Sequence, residues 1–468
     1  MSTPRELVER ALAHSRATHC TVIIDDSSAA WMRWAADTLT ANGTSSGRRI
    51  TVLSAVEGPH GTALGSFCAT TDDPRDLEAL VRASEAAAAK APPSRETAEP
   101  LGEDGLFDDD PGPGTPAQDS LARAVPALAT WQRRAVGTLY GYAGQTTLTT
   151  HLGSSSGLRR SHRGRTATLE VNARSTDGLR SAWAGATDDD LGAIDPAALE
   201  AGTSARLARA LPRRTLAPGR YEVVLPPSAV ADLMITAYLA AGAEDAAQGR
   251  TAFARPGGGT RLGQRLTALP LTLRSDPHEP GLRCCPFVLS RGAVADEFGA
   301  TIQAGSAPAD NGLPLAPVDW IKDGVLTSLL STRAGAARLG LPARPAIGNL
   351  VLDGGGTRSL SDLVASTRRG LLLTCLWYMR VTDGTTLSLT GLTRDGVYLV
   401  EDGQITAEVD DFRFAESPLS LLARAVEAGR TEKTLAREFG MHFPRTAMPA
   451  LRIPDFLMTS VAPGAGRP

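Results

Sequence analysis

The sequence predicts an α+β protein: N-terminal helices packed on antiparallel strands, followed by a β-rich C-terminal domain of barrel or sandwich-like build. Three observations carry this. Helix-like and strand-like segments mix up to about residue 215, and strand-like runs with Gly-rich turns dominate afterwards. A Pro/Gly-rich acidic stretch, residues 92–119, breaks the first half. Between Arg369 and Val400 lie three apolar runs, Leu371–Val381, Leu387–Leu392 and Gly396–Val400. They are separated by Thr382-Asp383-Gly384 and Arg394-Asp395-Gly396, the turn chemistry of an antiparallel meander, because Gly takes positive φ without steric cost.

The elements follow in order. Pro4–Arg16 reads as a helix with Leu7, Ala11 and Leu12 on one face and Thr3-Pro4 as its start signal. Cys20–Ile24 is strand-like, and Trp31–Leu39 fits either helical or alternating periodicity. Asn42-Gly43 and Gly58–Gly61 read as turns around the strand Ile50–Val56, and Ala63–Ala69 continues the sheet. Asp76–Ala91 is a helix burying Leu77, Leu80, Val81, Ser84 and Ala88. Residues 92–119 form a long loop or insertion, with Asp108–Asp110 as a solvated tip or, alternatively, a cation ligand. Leu121–Ala135 is helical, with Pro126 a point of kinking. Strands follow at Thr138–Ala143, Thr146–Leu152, Arg165–Ala173 and Arg180–Ala184, and the basic group Arg159–Arg165 reads as a loop. Pro196–Leu211 is a helix, and Arg213–Gly219 links domain 1–215 to domain 216–468. The second half opens with strand Tyr221–Leu225 and helix Ala229–Ala241, for which Ser228 is the expected N-cap. Further strands are expected at Leu269–Leu273, Pro286–Leu289, Gly312–Pro317 and Trp320–Ser328.

Composition narrows the function. The 468 residues are 42% hydrophobic and 21% charged, as in soluble globular proteins. A net charge of −3 argues against nucleic-acid binding, which needs a basic excess. No apolar stretch approaches the roughly 20 residues that span a bilayer. Five cysteines without C-x-x-C spacing indicate neither a disulfide framework nor a thiolate zinc site, and a reducing cytoplasm is the expected compartment. Cys375, Trp377, Tyr378 and Arg380 lie close together and read either as a core strand ending in an exposed cation or as the lining of a peptide groove.

Several segments resemble the TldD/PmbA peptidase family. They include Leu271–His278, Asn311-Gly-Leu-Pro314, Trp320–Leu326, Gly348–Leu352, Thr390–Gly396 with Phe412-Arg413-Phe414, and Pro449–Pro454. Their order and spacing cover nearly all of residues 215–468, with weaker echoes earlier, and their wording is of the actinobacterial type. The resemblance implies a cytoplasmic two-subunit protease acting on unfolded or modified peptides, including leader removal. One subunit of such a pair, TldD, holds zinc on a His-Glu-x-x-x-His helix with a Cys near the C-terminus. That chemistry needs two imidazoles on one ion and a Glu beside its water.

This chain lacks the pattern. The ligand positions fall near Ile235, Thr236 and Ala240, residues 221–260 contain no His, and no Cys follows Cys375. His442 stands near the place of the Cys, but one imidazole makes a poor zinc site. The resemblance therefore points to the zinc-lacking TldE/PmbA branch: no metal or catalytic residue in this chain, zinc in a TldD-like partner. Cys375, Trp377, Tyr378, Arg380 and Asn311 become candidates for a peptide groove or interface. Two other readings stay open: a stand-alone peptidase with Cys375 as nucleophile, and a regulatory module that binds peptides without cleavage.

Overall fold

The structure is a computed structural model; it describes residues 2–36, 38–71, 73–102, 116–134, 137–209, 211–292 and 305–462. The α+β class is as the sequence predicts. The first sheet has the strand order β3-β2-β1-β4-β5-β6 and is antiparallel throughout. Its strands are β1 (His19–Ala35), β2 (Thr38–Gly58), β3 (Gly61–Thr70), β4 (Thr138–Ser154), β5 (Arg159–Arg174) and β6 (Ser181–Asp188).

Alternation along β1 assigns the two faces of this sheet. Val22 and Ile24 pack with Leu7, Val8 and Ala11 of α1 (Pro4–His14) and with Leu77, Leu80 and Val81 of α2 (Leu77–Lys90). Ile23 points the other way and meets Leu53, Leu152 and Leu158, with Leu289 of the C-terminal half against them. Thr3 caps α1 in a capping box with Glu6. Two further helices, α3 (Ala117–Arg134) and α4 (Pro196–Leu207), bury Leu128 and Leu207 in a second cluster with Trp34, Leu139 and Leu169.

The second sheet holds 14 strands among the described residues. They are β7 (Arg213–Arg214), β8 (Gly219–Leu225), β9 (Thr272–Ser275), β10 (Val318–Lys322), β11 (Val325–Leu326), β12 (Leu350–Asp353), β13 (Arg369–Leu373), β14 (Leu376–Asp383), β15 (Ser388–Thr393), β16 (Val397–Glu401), β17 (Gln404–Val409), β18 (Phe412–Glu416), β19 (Glu427–Thr434) and β20 (Thr446–Val461). The hub is β20, which pairs with β8, β12, β18 and β19. Against it lies α5 (Pro227–Leu239), whose residues 229–238 are all buried, the apolar ones in the largest apolar cluster and Asp232 and Thr236 among them as the polar exceptions. The shorter helices α6 (Ala243–Ala247), α7 (Arg333–Leu339), α8 (Leu360–Ala365) and α9 (Pro418–Arg424) complete this half. No described helix is long and apolar enough to cross a membrane.

Several expectations are corrected. Asn42-Gly43 is no turn: it lies inside β2, paired with Met32 and Trp31, and the chain reverses after Ala36, whose φ is 50°. Arg159–Arg165 is no loop: it is the first half of β5, where Arg159 is buried and bonded to Glu9 at 2.7 Å. The acidic stretch is not loop throughout, because Ala117–Asp119 opens α3; Asp108–Asp110 lie outside the described residues. Helix Pro196–Leu211 stops at Leu207, and Arg213–Arg214 in the expected linker pairs with β17. Ser228 lies inside α5, with Pro226 at the N-cap position. The expected strands Pro286–Leu289 and Gly312–Pro317 share one isolated bridge, Phe287 to Pro314. The run Leu371–Val381 is split at Thr374-Cys375: β13 pairs with β8 and β16, and β14 turns aside to pair with β15.

Candidate functional site

The break between β13 and β14 sets the predicted cluster. Thr374 Oγ1 donates to the carbonyls of Asp395 and Gly396 at 2.8 and 2.9 Å, fastening the crossing point to the Asp395-Gly396 turn. Cys375 is buried there. Burial, with the charge of Asp395 behind it, pushes its thiol well above the ordinary range, against the pull of Arg437 and Arg394. A thiol so held stays protonated, and the thiolate is the nucleophile.

Leu376 and Met379 stay buried, while Trp377, Tyr378 and Arg380 turn outward. Trp377 lies 4.2 Å from the Arg437 guanidinium, ring centroid to carbon, and meets Tyr378 edge-on. Tyr378 is 55% exposed with φ at 51°, a conformation uncommon for a bulky residue, and its N–H donates to Glu438 Oε2 at 3.0 Å. Arg380 Nη1 reaches Glu438 Oε1 at 3.2 Å. Thus Trp377, Tyr378 and Arg380 gather around Arg437 and Glu438, on a strand whose one described pairing is with β15. Cys375 sits beneath them and Asn311 lies elsewhere. Asn311 is buried, and its amide clamps both main-chain groups of Ser290 at 2.6 and 2.8 Å.

A larger feature lies away from β14. A cavity of about 980 Å³ opens between the β1–β3 part of the first sheet and loops of the C-terminal half. The sheet contributes His19, Ser54 and Ser66; the loops contribute Cys285, Phe287 and Arg291; His442 also stands on the wall. Arg291 binds Asp25 through two contacts of 2.8 Å, and Thr150 Oγ1 donates to the same carboxylate at 2.6 Å. Burial would raise the Asp25 carboxyl, but these hydrogen bonds and the nearby cations outweigh it and hold it low. Burial depresses His19 and pushes the Cys285 thiol up to about 12. Asn311 acts on this wall indirectly, through Ser290, which lines it.

Sequence reasoning missed this cavity. Its lining joins strand residues of β1–β3 to loop residues without periodicity, far apart in the chain, which only the fold brings together.

The helix expected to bear zinc ligands in a catalytic subunit is α5. At its predicted ligand positions Ile235 is apolar and buried, and Thr236 Oγ1 is committed to the Asp232 carbonyl at 2.9 Å. Its carboxylate, Asp232, is wholly buried and accepts the backbone N–H groups of Arg437, Glu438 and Phe439, each at 3.0 Å. The described residues hold no group of three or more His, Cys, Asp or Glu side chains able to bind a metal ion. The side chains present on α5 do not fit zinc.

A profile of the PmbA/TldA metallopeptidase C-terminal domain matches residues 218–460. The chain belongs to the PmbA/TldD family. Solved structures agree on the fold of the whole chain. TldE from Thermococcus kodakarensis superposes with a TM-score of 0.76 at 16% identity, covering 97% of this chain and 99% of that one. A protein described as a modulator of DNA gyrase from Thermotoga maritima gives 0.74 at 16% identity, covering 98% and 100%. A second so described, from Bacteroides thetaiotaomicron, gives 0.73 at 15% identity, with the same coverage. No curated protein matches the sequence. The family segments named from the sequence occupy the second sheet and its loops, with Pro449–Pro454 on the hub strand β20.

Proposed function

We propose that this chain is the zinc-lacking subunit of a two-subunit PmbA/TldD-type metallopeptidase. It supplies one wall of a chamber in which a TldD-like partner cleaves unfolded or modified peptides, leader segments among them. The observation that carries the reading is α5, where a family helix that bears zinc ligands in a catalytic subunit is here a buried packing element. The cavity supports a binding role, being at the upper end of the roughly 300–1,000 Å³ usual for ligand sites. Serine and threonine hydroxyls interleaved with Leu53, Leu64, Phe287 and Leu289 suit extended backbone with small or apolar side chains. Hydrolysis would fall to the partner, whose zinc would activate the attacking water. All five cysteines are free, which supports a reducing compartment such as the cytoplasm.

Two measurements test this. The chain purified alone without chelators is expected to hold almost no zinc by elemental analysis and to leave an unfolded peptide intact. Adding a zinc-bearing family partner is expected to bring cleavage that neither protein shows alone. Close to one zinc per chain, or a partner equally active without this chain, would sink the proposal.

A further inference from the structure

Residues 92–102 run along the cavity wall as an extended strap. At its start Ser94 N–H donates to the Thr62 carbonyl of β3 at 2.9 Å. At its end Ser156 Oγ donates to the Leu101 carbonyl at 2.5 Å, and Gly102 bridges Gly157. Ser94, Glu96, Ala98 and Pro100, every second residue, line the cavity, with Thr97 beside them.

The middle is gripped by α7 and its N-cap residue, from the C-terminal half. Arg338 donates to the Arg95 carbonyl and, through Nη2, to Glu96 Oε1 at 2.6 Å. Thr332 Oγ1 donates to Glu96 Oε2 at 2.6 Å, and Arg333 Nη1 donates to the Glu99 carbonyl at 2.8 Å. Two main-chain carbonyls and one carboxylate are thus read by side chains more than 230 positions away in sequence. This is how a peptide site works: backbone hydrogen bonds supply affinity, and a charged pocket at one side chain supplies selectivity.

The grip is also built to be released. Beside the strap, Arg338 also pairs with Glu244 at 2.8 Å and Arg333 with Asp310 at 2.7 Å, so release of the strap would leave neither cation stranded. Glu96 and Arg338 are each about one-third exposed, where an ion pair holds weakly.

We propose that Thr332, Arg333 and Arg338 form a recognition site for an extended peptide bearing a glutamate, and that residues 92–102 are its resident occupant, displaced when such a peptide arrives. This deepens the chamber reading and rests on it for the arriving peptide being a substrate.

The test uses the full chain and a fluorescein-labelled peptide of the strap sequence, PPSRETAEPLG, followed by anisotropy. Glu96→Ala removes the strap's carboxylate anchor; Ser94→Pro removes its tie to β3 and leaves the site untouched. Each is expected to speed tryptic cleavage after Arg95. Each should also tighten binding of the added peptide by about tenfold or more, because a site filled in cis binds in trans only in its open fraction. Adding Arg338→Ala to Glu96→Ala should abolish the gain, as should a probe peptide whose glutamate contacting Arg338 is replaced by alanine.

Unchanged cleavage in whichever variants fold, or freed straps with no gain in peptide binding, would overturn the proposal. Peptide gain without activity alongside a zinc partner would remove the subunit reading and keep the strap. Activity without the gain would remove the strap alone.

Discussion

Asp232 shows what single residues do here in place of chemistry. Burial lifts its carboxyl to about 7, and the three N–H groups of residues 437–439 recover only part of the cost of a buried charge. The sign of the pH effect follows. An acid whose folded pKa lies above its unfolded value of about 3.9 binds its proton more tightly in the folded chain, so its contribution is greatest below about pH 4 and declines until about pH 7. Asp411, raised to about 7 by burial and then by Asp395, acts in the same sense. Asp232→Asn keeps one acceptor oxygen but turns an amide NH2 toward the Arg437 N–H, leaving a buried donor unpaired. The expected loss is about 1–3 kcal/mol by urea denaturation near pH 7. The decline between pH 4 and 7 should flatten to the share of the other acids that burial raises, Asp411, Glu170 and Glu408. A variant with the full unmodified slope would show that Asp232 does not titrate in that window.

At the scale of elements, glycine decides where strands and helices meet. A Cβ on Gly65 of β3 would stand 2.2 Å from the Ala88 nitrogen and 2.4 Å from the Ser84 carbonyl oxygen of α2, both backbone atoms that cannot swing away. Gly65→Ala is therefore expected to push α2 off the sheet and cost about 1–3 kcal/mol, read as a lower urea midpoint. Gly47→Ala, with only a Thr70 methyl at 3.9 Å, is its control. The same close approaches explain which elements the sequence reveals. The helices α1 and α2 are legible because caps and apolar stripes are local signals. The long strands are legible only in pieces, because Asn42-Gly43 reads as a turn inside β2 and Gly144 falls in the gap between two expected strands that are one strand, β4. Gly43 lies under the Trp31 ring, Gly141 under Trp34 and Gly144 under Tyr142, each a strand position emptied for an aromatic ring. The candidate cluster on β14 is legible as a group of neighbours, but the burial of Cys375 depends on a strand break that no periodicity marks. The cavity is assembled from distant strands and loops and leaves no local trace, and its strap shows in the sequence only as the start of the Pro/Gly-rich stretch 92–119.

Over the whole molecule, the β5–β6 side of the first sheet is clasped to the C-terminal half by side chains from β19, from the segment after it and from the Asp395 turn. Lys433 reaches Asp188 at 2.6 Å, and Ser181 Oγ donates to Asp395 at 2.8 Å. Arg437 is the centre of the clasp. Its guanidinium lies 5.2 Å from the Trp183 ring and 4.2 Å from the Trp377 ring, contacts Glu170 at 3.3 Å and donates to Asn172 at 3.1 Å. A planar, weakly hydrated cation suits a slot between two indoles; an ammonium on a flexible stem does not. Arg437→Lys keeps the charge and removes the plane, so it isolates the stacking. With each desolvated cation–π contact worth up to about 2 kcal/mol, the expected loss is about 1–3 kcal/mol after lysine recovers part of the pairing. Tryptophan fluorescence in urea reads it directly, since Trp183 and Trp377 sit on the two sides of the joint. A midpoint within error of the unmodified chain would show that the Arg437 stack is incidental and that the other ties, Lys433 to Asp188, Ser181 to Asp395 and Leu289 against the Ile23 cluster, hold the joint.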